Sequence, residues 1–284
     1  MPRIACLQIS ASETAEEAAE LAVGLAKLAL DKGASVLCLP EYCGGLQTSG
    51  TQFSPPVFAE EIHPLVMKMQ DFATRFKVWI LVGSVAVVGP DERYYNRSLL
   101  IDDKGEVIAR YDKLHLFDVN LGGENRFSES DTVCPGKNAV IVNTPFGTLG
   151  LSICYDLRFA GLYHTLALAG ATILTIPAAF TKATGEAHWH VLNTARAIET
   201  GSYVVAPCMI GPVSGGGETY GHSLIIDPWG RILADGGTDV GVVVADINPK
   251  LSGETRKMIP NLTNGKSFSV INVNITKEGV RHAI

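Results

Sequence analysis

Gly147-Thr148-Leu149-Gly150-Leu151-Ser152-Ile153-Cys154-Tyr155-Asp156-Leu157-Arg158-Phe159 is the stretch whose reading decides the fold. Its apolar half, ending at Ile153, predicts a short buried strand. Ala160 to Gly170 predicts a helix with Leu162, Leu166 and Ala169 on one face. Cys154 falls at the junction, and a polar, charged turn with Tyr155, Asp156 and Arg158 follows at once. A side chain at a strand-to-helix bend stands above a rigid sheet. The first N–H groups of the next turn can face a developing oxyanion. This is a setting for a nucleophile, although most unpaired cysteines are small buried hydrophobes. The rest of the chain has to decide between the two.

Moving outward, the same alternation recurs on both sides. Upstream, Arg3 to Ser10 predicts a strand and Ser12 or Thr14 caps a helix running to Lys32, with Gly33 as its stop. Ala34 to Leu39 is a strand buried on both faces, ended by Pro40-Glu41-Tyr42. A second helix spans about Glu60 to Phe76. Strands follow at Val78 to Val88, Tyr95 to Ile101 and Glu106 to Tyr111, and Leu114 to Gly136 reads as a long functional loop. Ala139 to Asn143 pairs with Thr148 to Cys154. Downstream come strands at Ala171 to Ile176 and Tyr203 to Ala206, with a helix between them over about Gly185 to Glu199, and then three strands over about 221–247. Helices alternating with paired strands predict a mixed α/β layered fold. No linker-like break divides the chain, so residues 1–284 are expected to form a single domain, with about 250–284 as a C-terminal arm or tail.

Composition narrows the function. Hydrophobic residues make up 46% of the 284 residues, enough for a substantial core. The net charge of −6 argues against a nucleic-acid or anionic-membrane surface. No apolar run approaches the ~18–20 residues of a membrane span, and Met1-Pro2-Arg3-Ile4-Ala5-Cys6 enters a strand pattern without a signal-peptide core, so the expected location is cytoplasmic. The six cysteines stand singly with no C-x-x-C, as free thiols do. In such a compartment the sequons at Asn96, Asn261 and Asn274 are chance matches.

Several motif-like stretches fail on their surroundings. Asn264-Gly265-Lys266-Ser267 lacks the first glycine of a phosphate-binding loop, with Pro260 in its place. Ser152 lies inside the predicted strand rather than at the bend. His188 and His190 sit two apart on a predicted helix and point to different sides, a poor chelating pair. Gly215-Gly216-Gly217 reads as a flexible loop.

Two other strand ends carry charge. Glu41 follows Leu37-Cys38-Leu39-Pro40, and Lys113 follows Val107-Ile108-Ala109-Arg110-Tyr111-Asp112. A carboxylate buried beside an apolar strand becomes a base near neutral pH. A buried ammonium beside a thiol favours thiolate and later holds an oxyanion. A free cysteine, with a pKa of about 8.5, needs some such activation. Spacing alone does not choose the partner, and a Cys–His pair using His115, His188 or His222 stays open on these grounds.

Leu39-Pro40-Glu41, Tyr111-Asp112-Lys113-Leu114-His115-Leu116-Phe117 and Ser152-Ile153-Cys154-Tyr155-Asp156-Leu157-Arg158-Phe159 resemble the three signature blocks of the nitrilase, or carbon–nitrogen hydrolase, superfamily, in its order. Ala187-His188-Trp189, the run Arg196 to Val205 and the run Gly221 to Gly230 extend the resemblance over roughly residues 3–250. The nearest look is to the branch that contains ω-amidase and deaminated glutathione amidase. One departure stands out: Ala160-Gly161 replaces the family's usual Pro-Glu.

The resemblance implies an α-β-β-α sandwich that assembles as a homodimer or higher homo-oligomer. It implies Cys154 as nucleophile, Glu41 as general base and Lys113 as oxyanion-stabilising cation. Glu129, chosen over Glu124, is the second carboxylate that orients Lys113. Tyr155 contributes its backbone N–H, while Arg158 and Tyr42 are candidate substrate contacts. Arg158 is equally able to pair with Asp156. The implied reaction is hydrolysis of a small-molecule amide through a thioester, with no metal or organic cofactor. A nitrilase or N-carbamoyl amidohydrolase would use the same residues, and a catalytically silent binding subunit is the non-enzyme alternative.

Overall fold

The computed structural model describes residues 1–50, 52–120, 126–276 and 279–283, so Glu124 lies outside the described residues. Two sheets stack face to face with helices on both outer sides. In chain order the main strands are β1 (Arg3–Gln8), β2 (Val36–Cys38), β3 (Trp79–Val88), β4 (Tyr94–Ile101), β5 (Val107–Asp112), β6 (Val140–Thr144), β7 (Gly147–Leu151), β8 (Ile173–Thr175), β9 (Tyr203–Ala206), β10 (Leu224–Ile226), β11 (Ile232–Asp235) and β12 (Gly241–Asp246). The first sheet runs β12-β1-β2-β3-β4-β5, with Val57–Phe58 added against β3, and the second runs β6-β7-β8-β9-β10-β11. Each has a parallel centre, β1-β2-β3 or β7-β8-β9, flanked by antiparallel strands. Helices α1 (Ala15–Asp31) and α2 (Pro64–Phe76) make the crossovers of one centre, α3 (Ala160–Leu168) and α4 (Lys182–Thr200) those of the other.

The pleat sorts side chains between layers. Ile4, Cys6, Val36, Cys38, Leu81 and Leu100 face the second sheet and join a core with Leu149, Leu151, Ile173 and Val205. Their neighbours Ala5, Leu7, Leu37, Ile80 and Leu99 face outward onto Ala19, Ala22 and Ala26 of α1 and Leu65, Met69 and Phe72 of α2. This is the expected α-β-β-α sandwich. The alanine stripe matters because a helix without large side chains can lie close on the sheet.

Local chemistry sets the helix ends. The Thr14 side chain accepts from Glu17 N at 3.2 Å, and Glu16 and Glu17 complement the positive end of α1. The predicted helix over Glu60 to Phe76 is broken. A 3-10 turn at Glu60–Ile62 precedes α2, because Pro64 pushes His63 into extended backbone. Helix α4 starts earlier than Gly185, at Lys182. Gly185 is needed inside it because a Cβ there would come within 2.3 Å of the Tyr220 ring. Helix α3 begins at Ala160 without the family's proline.

The long loop after Lys113 holds a short antiparallel pair, Asp118–Asn120 with Arg126–Ser128, and a 3-10 turn at Glu129–Asp131. A hairpin of Ile210–Pro212 and Glu218–Tyr220, not anticipated from sequence, contains the triple glycine. At the C-terminus, helix α5 (Leu251–Met258) is docked, its Arg256 donating to Thr200 O at 2.9 Å and Ser202 Oγ at 2.8 Å. Strands Asn272–Thr276 and Gly279–Ala283 pair with each other. Among the described residues, no helix is long and apolar enough to cross a membrane.

Candidate active site

Glu41, Lys113 and Cys154 emerge from strand ends into one pocket of about 380 Å³. Each bend is held by backbone bonds. Leu39 N donates to Leu81 O, Ser84 N to Pro40 O, and Tyr42 N to Ser84 Oγ. Gly83 lets β3 pass beneath this bend, since a Cβ there would lie 1.9 Å from Leu39 O. Lys113 N donates to Asn96 O and Cys154 N to Pro177 O. Strand β7 stops at Leu151, so Cys154 is not the last residue of a strand but opens a 3-10 turn, Cys154–Arg158, with φ of +46°. A non-glycine residue in left-handed backbone is strained by roughly 1–2 kcal/mol and persists where its surroundings over-determine it.

Asp156 supplies that over-determination. It is fully buried; its Oδ2 accepts from Ile153 N at 2.8 Å and from Tyr111 OH at 2.6 Å, and its Oδ1 accepts from His115 N at 3.0 Å. His115 Nδ1 lies 2.7 Å from the same Oδ1. The cysteine turn is thereby stapled to the strand that delivers Lys113.

The charged groups form a buried cluster. Lys113 Nζ donates to Glu41 Oε1 at 2.8 Å and to Glu129 Oε2 and Oε1 at 2.9 and 3.1 Å. All three side chains are buried. Asn96 Nδ2 bridges Glu41 Oε1 at 2.9 Å and Glu129 Oε1 at 3.3 Å, while Ala179 N donates to Glu41 Oε2 at 2.9 Å. Glu129 also accepts from Tyr42 OH at 3.1 Å and Phe117 N at 2.6 Å. Burial works against the Lys113 ammonium, but Glu129 and Glu41 outweigh it and hold its pKa well above that of ordinary lysine. The Cys154 thiol is pushed well above the ordinary cysteine range by burial and by the nearby Glu41 charge, with Lys113 opposing only in part. Lys113 acts on the thiol in the expected direction, lowering its pKa, but burial and Glu41 outweigh it.

The candidate site residues divide cleanly. Glu41, Tyr42, Lys113, Cys154, Tyr155 and Arg158 all line the pocket, and Glu129 backs Lys113. Tyr42 turns its hydroxyl to Glu129. Arg158 does not pair with Asp156. Its guanidinium nitrogens lie 3.4 Å from His188 Nδ1, and it sits over the Phe180 ring at 5.5 Å. The candidate histidines are engaged elsewhere: His115 stacks on Phe159 and contacts Asp156, His188 meets Arg158, and His222 Nδ1 lies 2.9 Å from Asp235 Oδ1. Ser152 is buried against Tyr163 OH and Thr175 O, outside the pocket. Sequence reasoning missed Asn96 and Asp156. The signal for Asn96 was present, as an amide at an inward position of β4 whose sequon could never be reached at full burial.

A buried Glu–Lys–Glu cluster behind a cysteine, at the carboxyl ends of strands in a four-layer sandwich, defines a class, and the carbon–nitrogen hydrolase family model matches residues 3–257. The chain belongs to the carbon–nitrogen hydrolase family. It is 42% identical over 263 residues to a deaminated glutathione amidase of Synechocystis sp., covering 91% of this chain and 96% of that one. It is 33% identical over 262 residues to the omega-amidase NIT2 of Homo sapiens, covering 91% and 92%. The structure of the C. elegans NitFhit protein superposes with a TM-score of 0.83 at 32% identity, covering 93% of this chain. This chain spans 65% of that protein's length.

Proposed function

We propose that the protein is an amidase that hydrolyses the C–N bond of a small carboxylate-bearing amide through a thioester on Cys154. Glu41 takes the thiol proton as Sγ attacks the amide carbonyl, and the C=O electron pair moves onto oxygen, held by Lys113 and the Tyr155 N–H. Collapse re-forms the carbonyl and breaks the C–N bond, and Glu41 passes its proton to the departing nitrogen, which leaves as ammonia. Water then attacks the thioester. Glu41 takes its proton and returns it to sulfur as the acid departs. Glu129 keeps the Lys113 ammonium aimed at the oxyanion position.

The observation that carries this reading is the position of Glu41: its Oε1 accepts from Lys113 Nζ at 2.8 Å in the pocket that Cys154 also lines, so one carboxylate stands by both the thiol and the cation that would stabilise the developing charge. The exposed edge of Arg158 in an aromatic pocket lined by Phe53, Phe117 and Phe180 suits a substrate with a carboxylate beyond a short chain. An ω-amide of a dicarboxylate or a deaminated-glutathione-like compound has that form, in keeping with the names of the relatives. Ammonia release from a panel of ω-amides, deaminated glutathione, nitriles and N-carbamoyl compounds tests the assignment. Turnover is expected for the amides, and turnover confined to nitriles or carbamoyl compounds would overturn it.

The finer setting belongs to the same proposal. Six unpaired cysteines suit a reducing cytoplasm. Residues 1–284 are read as one domain with the segment after Met258 as an arm. Exposed Leu168, Val191, Ile198 and Met258 support a homodimer.

A further inference from the structure

Outside the pocket that Cys154 lines, His190, His222 and Asp235 bring one ligand atom each within 4.8 Å of one another. His190 Nε2 lies 3.0 Å from Asp235 Oδ2 and His222 Nδ1 lies 2.9 Å from Asp235 Oδ1. The His190 and His222 rings stand 5.0 Å apart and steeply inclined, so their edges converge instead of stacking. We infer that these three side chains form a binding site for a divalent transition-metal ion of the zinc class, with two imidazoles and one carboxylate as protein ligands and solvent completing the shell.

The donor set and its spacing fit. Nitrogen and oxygen ligands at about 2.0–2.1 Å from a tetrahedral ion stand roughly 3.3 Å from each other; here each imidazole nitrogen stands 2.9–3.0 Å from an Asp235 oxygen, and all three ligand atoms lie within 4.8 Å of one another. The ligands come from three separate elements: the middle of α4, the lead into β10 and the end of β11. Each is fixed before any ion arrives. His222 holds left-handed backbone at φ +50°, a costly conformation for a residue with a side chain, and is pinned on both sides. Its N–H donates to Gly237 O at 2.8 Å and its carbonyl accepts from Trp189 Nε1 at 2.7 Å. Asp235 Oδ1 also accepts from Gly237 N at 2.9 Å, an outer contact that orients the carboxylate. His222 borders an open surface pocket that also contains Glu186, Glu218 and Lys182, the last two ion-paired at 3.0 Å, so the site is open to solvent. His188 takes no part, since it faces Arg158 on another side of the helix.

A bound ion would clamp α4 to the β10–β11 hairpin. Trp189, next to His190, packs on Phe180 of the amidase pocket at 5.0 Å, so the clamp would stiffen that wall from behind. The site needs no part of the amidase reading and stands if that reading fails.

The test uses the full chain stripped with chelator and titrated with Zn²⁺ and, separately, Co²⁺. One saturable equivalent of Zn²⁺ per chain and a rise in thermal midpoint are expected. Co²⁺ is expected to give visible d–d bands of nitrogen and oxygen ligation without a thiolate charge-transfer band. His190→Gln, on a helix where folding is not at stake, is expected to weaken binding about tenfold or more and to abolish the thermal shift, with Asp235→Asn behaving alike. Equal binding by the wild type and His190→Gln would overturn the site. So would a cobalt spectrum dominated by thiolate that vanishes in Cys154→Ala, or no saturable binding at all.

Discussion

Tyr111 OH donates to Asp156 Oδ2 at 2.6 Å, and this bond ties the turn carrying Cys154 to the strand carrying Lys113. Two residues of the proposed site, more than forty apart in sequence, are thus held by a buried contact between residues that do not line the pocket. Tyr111→Phe keeps the packing and removes one donor from a buried carboxylate. Chemical denaturation is expected to show a loss of about 1–3 kcal/mol. Amide turnover is expected to drop in kcat more than it rises in KM, because the strained φ of Cys154 is then less firmly imposed. An unchanged kcat would mean that the staple is purely structural.

Glu41 has two opposed effects on the thiol, and they separate in Glu41→Gln. Burial and the Glu41 charge both raise the Cys154 pKa. Removing that charge lowers it, so the pH profile of alkylation by iodoacetamide is expected to move to lower pH. Amide turnover is expected to fall by at least about a thousandfold, since no base remains to shuttle the proton. A variant that reacts faster with the alkylator yet does not turn over amides is the signature of this arrangement. Parallel loss of both activities would argue for a thiolate already present at rest.

Arg158 is the one guanidinium lining the pocket among the described residues. Arg158→Leu is expected to raise KM for ω-amides of dicarboxylates about tenfold or more and to leave uncharged amides of similar size within about twofold. Steady-state kinetics on the two substrate types checks this.

His63 is fully buried at the start of α2, and burial brings its pKa from 6.5 down to about 4. The folded protein keeps this imidazole neutral, whereas the unfolded chain binds a proton below about 6.5. The associated stability is complete above that pH and is lost as pH falls toward 4, by roughly 3 kcal/mol over the window. Urea denaturation of His63→Gln is expected to give a flatter dependence between pH 7 and 4 than the wild type.

Much of this architecture was legible in the sequence, and the limits were physical. Short apolar runs such as Ala34 to Leu39 and helix punctuation at Thr14 and Gly33 announced the layers, because buried strands and helix ends have local causes. The loop carrying Glu41 was likewise visible in Leu39-Pro40-Glu41. What escaped was the outcome of convergence. No local pattern says that Asn96 bridges two carboxylates or that Asp156 turns away from Arg158 toward Tyr111. The thiol's upward shift escaped for a similar reason, because it depends on burial together with the opposed charges of Glu41 and Lys113. His190 looked unpromising beside His188, and its real neighbours, His222 and Asp235, come from distant strands.

The most direct measurement is intact-protein mass spectrometry during turnover of an ω-amide, quenched in acid. The expected result is a mass increase equal to the acyl group, mapped to Cys154, reversed by hydroxylamine and absent from Cys154→Ala. Ammonia released at the wild-type rate by Cys154→Ala, with no acyl adduct on either protein, would contradict the account.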